Sequence, residues 1–210
     1  AMQTYFSYAN TVGKGVVENN RLMKHNFNFR ETANFLNNKL TIDANINGMY
    51  QRGNNRVTSG GYYMNPLVGL YHFPRGGVEG GKDFNYYKEN YQVLNPSRNM
   101  MDQAWYQNAS VGAGDFEQNP YWLINKVPNE DTRYRAMFNL SVKYQFNKLF
   151  SLQARGSADF INDKNETHMY AGTSSILAGL NAQQTGSNGR YIYGEGSELT
   201  LSLIHISEPT

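Results

Sequence analysis

Ser157, Asp159 and His168 are the residues of this 210-residue chain whose types would suit nucleophile, acid and base chemistry. A hydrolase needs the three within hydrogen-bond reach, but Ser157 and Asp159 share one face of an alternating run and His168 is expected in a loop. They read as ordinary polar lining, no catalytic residue is assigned, and the chain is not expected to be an enzyme. His25, His72, His168 and His205 have neither metal-ligand spacing nor a surrounding carboxylate cluster, so no metal or cofactor is expected. Gly13-Lys14-Gly15 and Val111-Gly112-Ala113-Gly114 lack the strand-to-helix setting of a phosphate cradle and are expected as turns. Zero cysteines exclude disulfides and thiolate metal sites.

Binding is better served than catalysis. Tyr62, Tyr63, Tyr71, Phe73, Tyr86, Tyr87, Trp105, Tyr106, Tyr121 and Trp122 crowd one region. Sugar rings present apolar C–H faces that stack on aromatic side chains, which makes Tyr71, Phe73, Trp105, Tyr121 and Trp122 the candidate substrate-binding residues. The competing reading is that the rings pack on one another to hold a long loop together, or meet a partner protein. For any single ring that reading is preferred, and Asn119-Pro120-Tyr121-Trp122 looks architectural.

The elements that must carry these residues are strands. Tyr (16), Phe (11) and Gly (20) are abundant, a strand-and-turn composition. Mean hydropathy is −0.65 and no run approaches the roughly 20 apolar residues of a membrane helix. A barrel strand shows lipid only every second residue, so low hydropathy does not exclude a membrane wall. The net charge of +2, without long runs of either sign, gives no footprint for nucleic acid.

Alternation is clearest from Leu40 to Gln51, with Leu40, Ile42, Ala44, Ile46, Gly48 and Tyr50 on one face. Ala136 to Phe146 and Phe150 to Phe160 repeat it, each close to the roughly 9 to 11 residues of a tilted membrane strand. His25 to Phe35 is a further strand in which Glu31 falls on the apolar side, implying either a bulge or a position outside the hydrocarbon layer. Gln3 to Asn10 and a segment from about Arg190 complete six. Leu36 to Lys39 and Asn147-Lys148 are short turns, whereas Thr11 to Lys24, 52–133 and 162–189 are expected as long loops without periodicity. Short turns on one side and long loops on the other suit an outer-membrane barrel better than a β-sandwich. The expected fold is therefore all-β: part of a large antiparallel transmembrane β-barrel, with short periplasmic turns and long extracellular loops.

Several segments resemble the SusC/RagA family of TonB-dependent transporters. They are Gln3-Thr4-Tyr5-Phe6-Ser7-Tyr8-Ala9-Asn10 with Lys14-Gly15-Val16-Val17 and Asn19-Asn20, Asn65-Pro66-Leu67 leading to Phe73-Pro74-Arg75-Gly76, Gln118-Asn119-Pro120-Tyr121-Trp122, and Gln153-Ala154-Arg155-Gly156. The resemblance runs over residues 1 to about 200. It implies a barrel of about 22 strands with an N-terminal plug, a SusD-like lipoprotein lid and a TonB complex acting through the plug. It implies import of oligosaccharides or peptides across the outer membrane of a Gram-negative bacterium of Bacteroidota type. Residues 1–200 would then be a mid-barrel section without plug or closing strands. The rival is a soluble or surface-attached glycan-binding β-protein.

Residues 201–210, Leu-Ser-Leu-Ile-His-Ile-Ser-Glu-Pro-Thr, resemble a translated transposase-type sequencing adapter, CTG TCT CTT ATA CAC ATC TCC GAG CCC ACG. They are expected to be non-native and without function. The alternative is that Leu201 to Ile206 continues the sixth strand.

Overall fold

The computed structural model describes residues 1–57, 64–78, 80–106, 118–173 and 189–209. Their fold is mostly antiparallel β-sheet. Six strands lie side by side, β1 (Met2–Lys14), β2 (Arg21–Phe35), β3 (Leu40–Asn54), β6 (Asn129–Asn147), β7 (Phe150–Met169) and β8 (Arg190–Pro209). Each pairs antiparallel with the next in the chain, so the sheet is a meander. Between β3 and β6 lies a separate unit of α1 (Pro66–His72), α2 (Phe84–Glu89), the hairpin β4 (Gln92–Asn95) and β5 (Met100–Gln103), and α3 (Pro120–Lys126).

The registers assemble the alternating residues into rows across the sheet. Phe29, Ile46, Phe138 and Ala158 form one row; Ala33, Ile42, Val142 and Ala154 another. Directly opposed side chains on one face are the unit of sheet stabilisation, and here each row is apolar from strand to strand. At the end nearer the short turns the face carries Tyr144, Phe146 and Phe150, in ring contact in sequence at 4.7 and 5.9 Å. At the other end His25, Tyr50 and Tyr134 form a row, with ring centroids 6.0 and 5.0 Å apart. Beyond it the same face turns charged, with Arg52 paired to Glu130 and Lys164 to Glu195.

No second sheet covers this apolar face among the described residues. Phe6, Phe27, Ile46, Phe138, Leu140, Phe160 and Leu199 are all exposed, and the buried core is elsewhere, in Trp122, Leu123, Val127 and Met169 of the loop unit and the end of β7. Contiguous uncovered apolar faces of this kind mark surfaces that meet another apolar phase or a partner.

Four expectations need correction. The β1–β2 connection is not a long loop from Thr11 to Lys24: both strands continue to Lys14 and Arg21, and residues 15–20 join them. His168 is in β7, not in a loop. The described residues of the 52–133 segment form three short helices and a hairpin, flanked by the ends of β3 and β6. The bulge offered for Glu31 is not found, since the β1–β2–β3 register is continuous there and places Glu31 on the apolar face, in a row with Ala44, Leu140 and Gly156. There the Thr4 hydroxyl donates to its Oε2 at 2.6 Å, while Oε1 has no partner.

The tail residues extend β8, with Leu201 opposite Ala158 and Pro209 opposite Phe150. Their alternation breaks the pattern of the sheet. Leu199, Leu201 and Leu203 continue the apolar face, but His205 then falls on it beside Ala154, and Ile204 and Ile206 fall on the polar face beside Arg155 and Gln153.

Candidate functional site

The loop unit is built from capped helix starts. Asn65 and Asn119 each accept a backbone N–H two residues on, from Leu67 at 3.0 Å and Tyr121 at 2.8 Å, and each precedes a proline in the first helical turn. The cap satisfies one orphan N–H, and proline lacks the next while presetting φ. Asp83 caps α2 in the same manner through Tyr86. Gly69 lets α1 approach α3, because a Cβ there would stand 2.9 Å from the Gln118 carbonyl and 3.1 Å from the Pro120 ring.

Asn119 is the hub of the unit. Fully buried at 0% exposure, it donates from Nδ2 to the Tyr87 carbonyl at 3.0 Å and the Ala104 carbonyl at 2.7 Å, while its Oδ1 caps α3. One side chain therefore ties α2, the end of the hairpin and α3 together, and both polar atoms of its amide have partners. Trp122, 1% exposed, donates from Nε1 to the Thr173 hydroxyl at 3.0 Å, which in turn donates to the Tyr170 carbonyl. That links the loop unit to the segment after β7.

The candidate binding rings separate accordingly. Trp105, 3% exposed, and Trp122 are buried and cannot offer a ring face to a sugar. Phe73 is half-buried and meets Phe84, Tyr87, Trp105 and Tyr106 at centroid distances of 5.2 to 5.9 Å. Tyr121 is half-buried, with Phe84 at 5.9 Å on one side and the Lys88 ammonium 5.0 Å from its centroid. Only Tyr71, of the five, is freely presented, at 79% exposure. Packing of rings on rings accounts for this cluster. Tyr62, Tyr63 and residues 111–114 lie outside the described residues.

The polar face of the six-stranded sheet is crossed by ion pairs between neighbouring strands. Arg30 meets Asp43 at 2.8 Å, Arg135 grips both oxygens of Asp159 at 3.0 and 2.6 Å, and Arg133 meets Asp163 at 2.6 Å. Asn28 to Asn45 and Gln153 to Ser141 add neutral bonds across the same face. Asp159 is thus engaged by an arginine, and His168 is nine residues further along β7 on the opposite face, so the hydrolase grouping does not assemble. Among the described residues no group of His, Asp and Glu is arranged to hold a metal ion.

Two clefts flank the base of the loop unit. One of about 370 Å³ opens on the polar face, lined by Asn55, Ile124, Asp131, Asn165 and Thr167. The second, about 910 Å³, opens on the other face beyond the aromatic row, lined by Lys14, Arg21, Met23, Arg52, Glu130 and Glu166 among others.

No protein-family model matches the chain, and no curated protein matches its sequence.

Proposed function

We propose that this chain is a section of the wall of an outer-membrane β-barrel, together with one of its extracellular loops, from a TonB-dependent nutrient importer of SusC/RagA type. The observation that carries the membrane reading is the uncovered apolar face of the sheet, bounded at each end by aromatic rings. On β6 it runs from Tyr134 to Tyr144, eleven residues and so ten steps along the strand. At about 3.4 Å per residue and a strand tilt near 40°, that is a height of about 26 Å, against about 25 Å for the apolar band of outer-membrane barrels between their aromatic girdles. The opposite face, with its arginine–aspartate pairs and amide ladder, suits a water-filled or plug-filled interior.

The importer reading rests on the ordered resemblance of four segments. Two of them, Asn65-Pro66 and Asn119-Pro120, are the capped helix starts that organise the loop unit. Such a unit, folded around its own core, suits a rigid extracellular platform for a lid lipoprotein and an oligosaccharide or peptide. In this reading no bond chemistry is performed, and Leu201–Thr210 is foreign sequence, in keeping with the break of alternation at Ile204 to Ile206.

Spin labels on single cysteines placed in the cysteine-free sequence of the full-length protein test the wall. Labels at Ile46 and Phe138 should be relaxed by lipid-soluble oxygen and labels at Asn45 and Asn139 by a water-soluble nickel chelate. If Ile46 and Phe138 are shielded from both, the face is a covered core and the soluble glycan-binding protein is the better account.

A further inference from the structure

We infer that Lys14 and Arg21 form an anchoring site for a phosphorylated glycolipid headgroup of the outer leaflet. The inference rests on the barrel-wall reading above. The two residues are paired in register at the ends of β1 and β2, on the face that carries the apolar rows. They lie four residues beyond the row of His25 and Tyr50, about 13 Å along the strand and about 10 Å in height at barrel tilt. That is the level of the phosphates in a leaflet whose hydrocarbon ends at the aromatic row.

Charge pairing singles them out. Arg52 is held by Glu130 and Lys164 by Glu195 on the same part of the face, while Lys14 and Arg21 are exposed and have no ion pair among the described residues. Like charges directly opposite one another are unfavourable in a sheet unless an anion sits between them. The acids sharing their cleft are removed from them: Glu130, two strands from Arg21, is occupied by Arg52, and Glu166, three strands away, stands 3.5 Å from His168. An arginine fork beside a lysine ammonium suits two oxygens of one phosphate.

The row beneath decides for a lipid over free phosphate. On β1 and β2 it pairs Val12 with Met23, apolar directly beneath the two cations, and turns polar only from Arg52 of β3 onward. A phosphate clamp above an apolar step fits an amphiphile whose acyl chains descend along the wall.

The test titrates the full-length protein, purified from outer membranes in mild detergent, with bisphosphorylated lipid A and counts bound lipid by native mass spectrometry. Each cation near a membrane phosphate is worth about fivefold, so Lys14→Gln/Arg21→Gln should bind about thirtyfold more weakly. Lys24→Gln/Lys143→Gln, on the polar face, should bind as the wild type does. Lipid A stripped of phosphate should bind the wild type no better than the double variant, and inorganic phosphate at millimolar concentration should not compete. Equal affinity of wild type and double variant overturns the site, and full competition by inorganic phosphate overturns its assignment to a lipid. Fractionation separates the two levels of inference. Wild-type protein absent from the outer membrane defeats the barrel wall and the site with it, whereas a correctly inserted wild type that shows no phosphate dependence defeats the site alone.

Discussion

An arginine placed at Leu140 is the sharpest perturbation of the proposed wall. Leu140 lies on the apolar face between Ala44 and Gly156, four residues from Tyr144 and six from Tyr134. With about 3.4 Å per residue and a tilt near 40°, it stands about 10 Å inside one aromatic boundary and about 16 Å inside the other. A lipid-facing arginine this deep costs about 2 to 4 kcal/mol, falling to about 0 to 1 near the interfaces. Leu140→Arg should therefore shift the folding equilibrium of the full-length protein in lipid vesicles by roughly 30- to 900-fold. Tyr134→Arg should shift it by less than about fivefold, and Asn139→Arg, on the opposite face, should change it by no more than about 0.5 kcal/mol. The readout is the denaturant midpoint of tryptophan fluorescence in vesicles. Equal costs at Leu140 and Tyr134, or a larger cost at Asn139 than at Leu140, would refute the assignment of the apolar face to lipid. An exposed face in water would make all three nearly neutral.

Glu31→Leu should stabilise the protein in vesicles by about 1 to 2 kcal/mol, because it restores an apolar row in which the carboxylate has one bonded and one unpartnered oxygen; destabilisation in the same titration would mean that the Thr4–Glu31 pair has a positive role. Asn119→Ala should cost the loop unit about 2 to 4 kcal/mol, since it strands the Tyr87 and Ala104 carbonyls and uncaps α3, and limited proteolysis should then cut within 55–128 without releasing the sheet. Gly172→Ala should loosen the same unit, because φ is +99° and an added Cβ would stand 3.0 Å from the Trp122 ring; an unchanged tryptophan emission maximum would count against this packing. Beyond the aromatic row, hydrogen bonds from the Tyr193 hydroxyl, then from Asn162, hold the Glu195 carboxyl below its usual range. A depressed carboxylate contributes stability at neutral pH that fades as pH falls through about 4 and below, so amide exchange at the start of β8 should quicken there in the wild type and not in Glu195→Gln.

How far the sequence could be read was set by the apolar face. Six strands, their sidedness and the turns near Leu36 and Lys148 were legible because every second residue along the band is apolar. Where the band ends, the outward positions become Arg52, Thr132 and Lys164, so hydrophobic alternation stops while backbone pairing continues. That is why β7 continues unseen to Met169, whereas on β1 and β2 Val12 and Met23 are still apolar and the face turns charged only at Lys14 and Arg21. The helices of the loop unit were missed for a different reason. Seven residues are too few to show a 3.6-residue period, and the signal that remained was local, an asparagine cap followed by proline. Of the candidate rings, residue type alone could not separate Tyr71 from Trp122. Burial of Trp122 depends on Thr173, Tyr170 and Gly172, which come to it from beyond β7.

The distribution of burial argues for the wall more strongly than strand content does. In a water-soluble β-protein the alternating sheet face forms the core and the connections are solvated. Here the large apolar side chains of the sheet are exposed, and the buried tryptophans, with the buried asparagine, belong to the connection between β3 and β6. The proposed wall would explain this as one chain meeting two solvents. The loop unit buries Trp105 and Trp122 and satisfies the amide of Asn119, while the sheet leaves phenylalanine, leucine and isoleucine exposed and keeps its arginine–aspartate pairs on the other face. The boundary between the two regimes is the row of His25, Tyr50 and Tyr134, rings with an apolar body and a polar edge. On β3, β6 and β7 the face changes character at one height, with Arg52, Thr132 and Lys164 following the row, as the bilayer surface of the proposed wall would require.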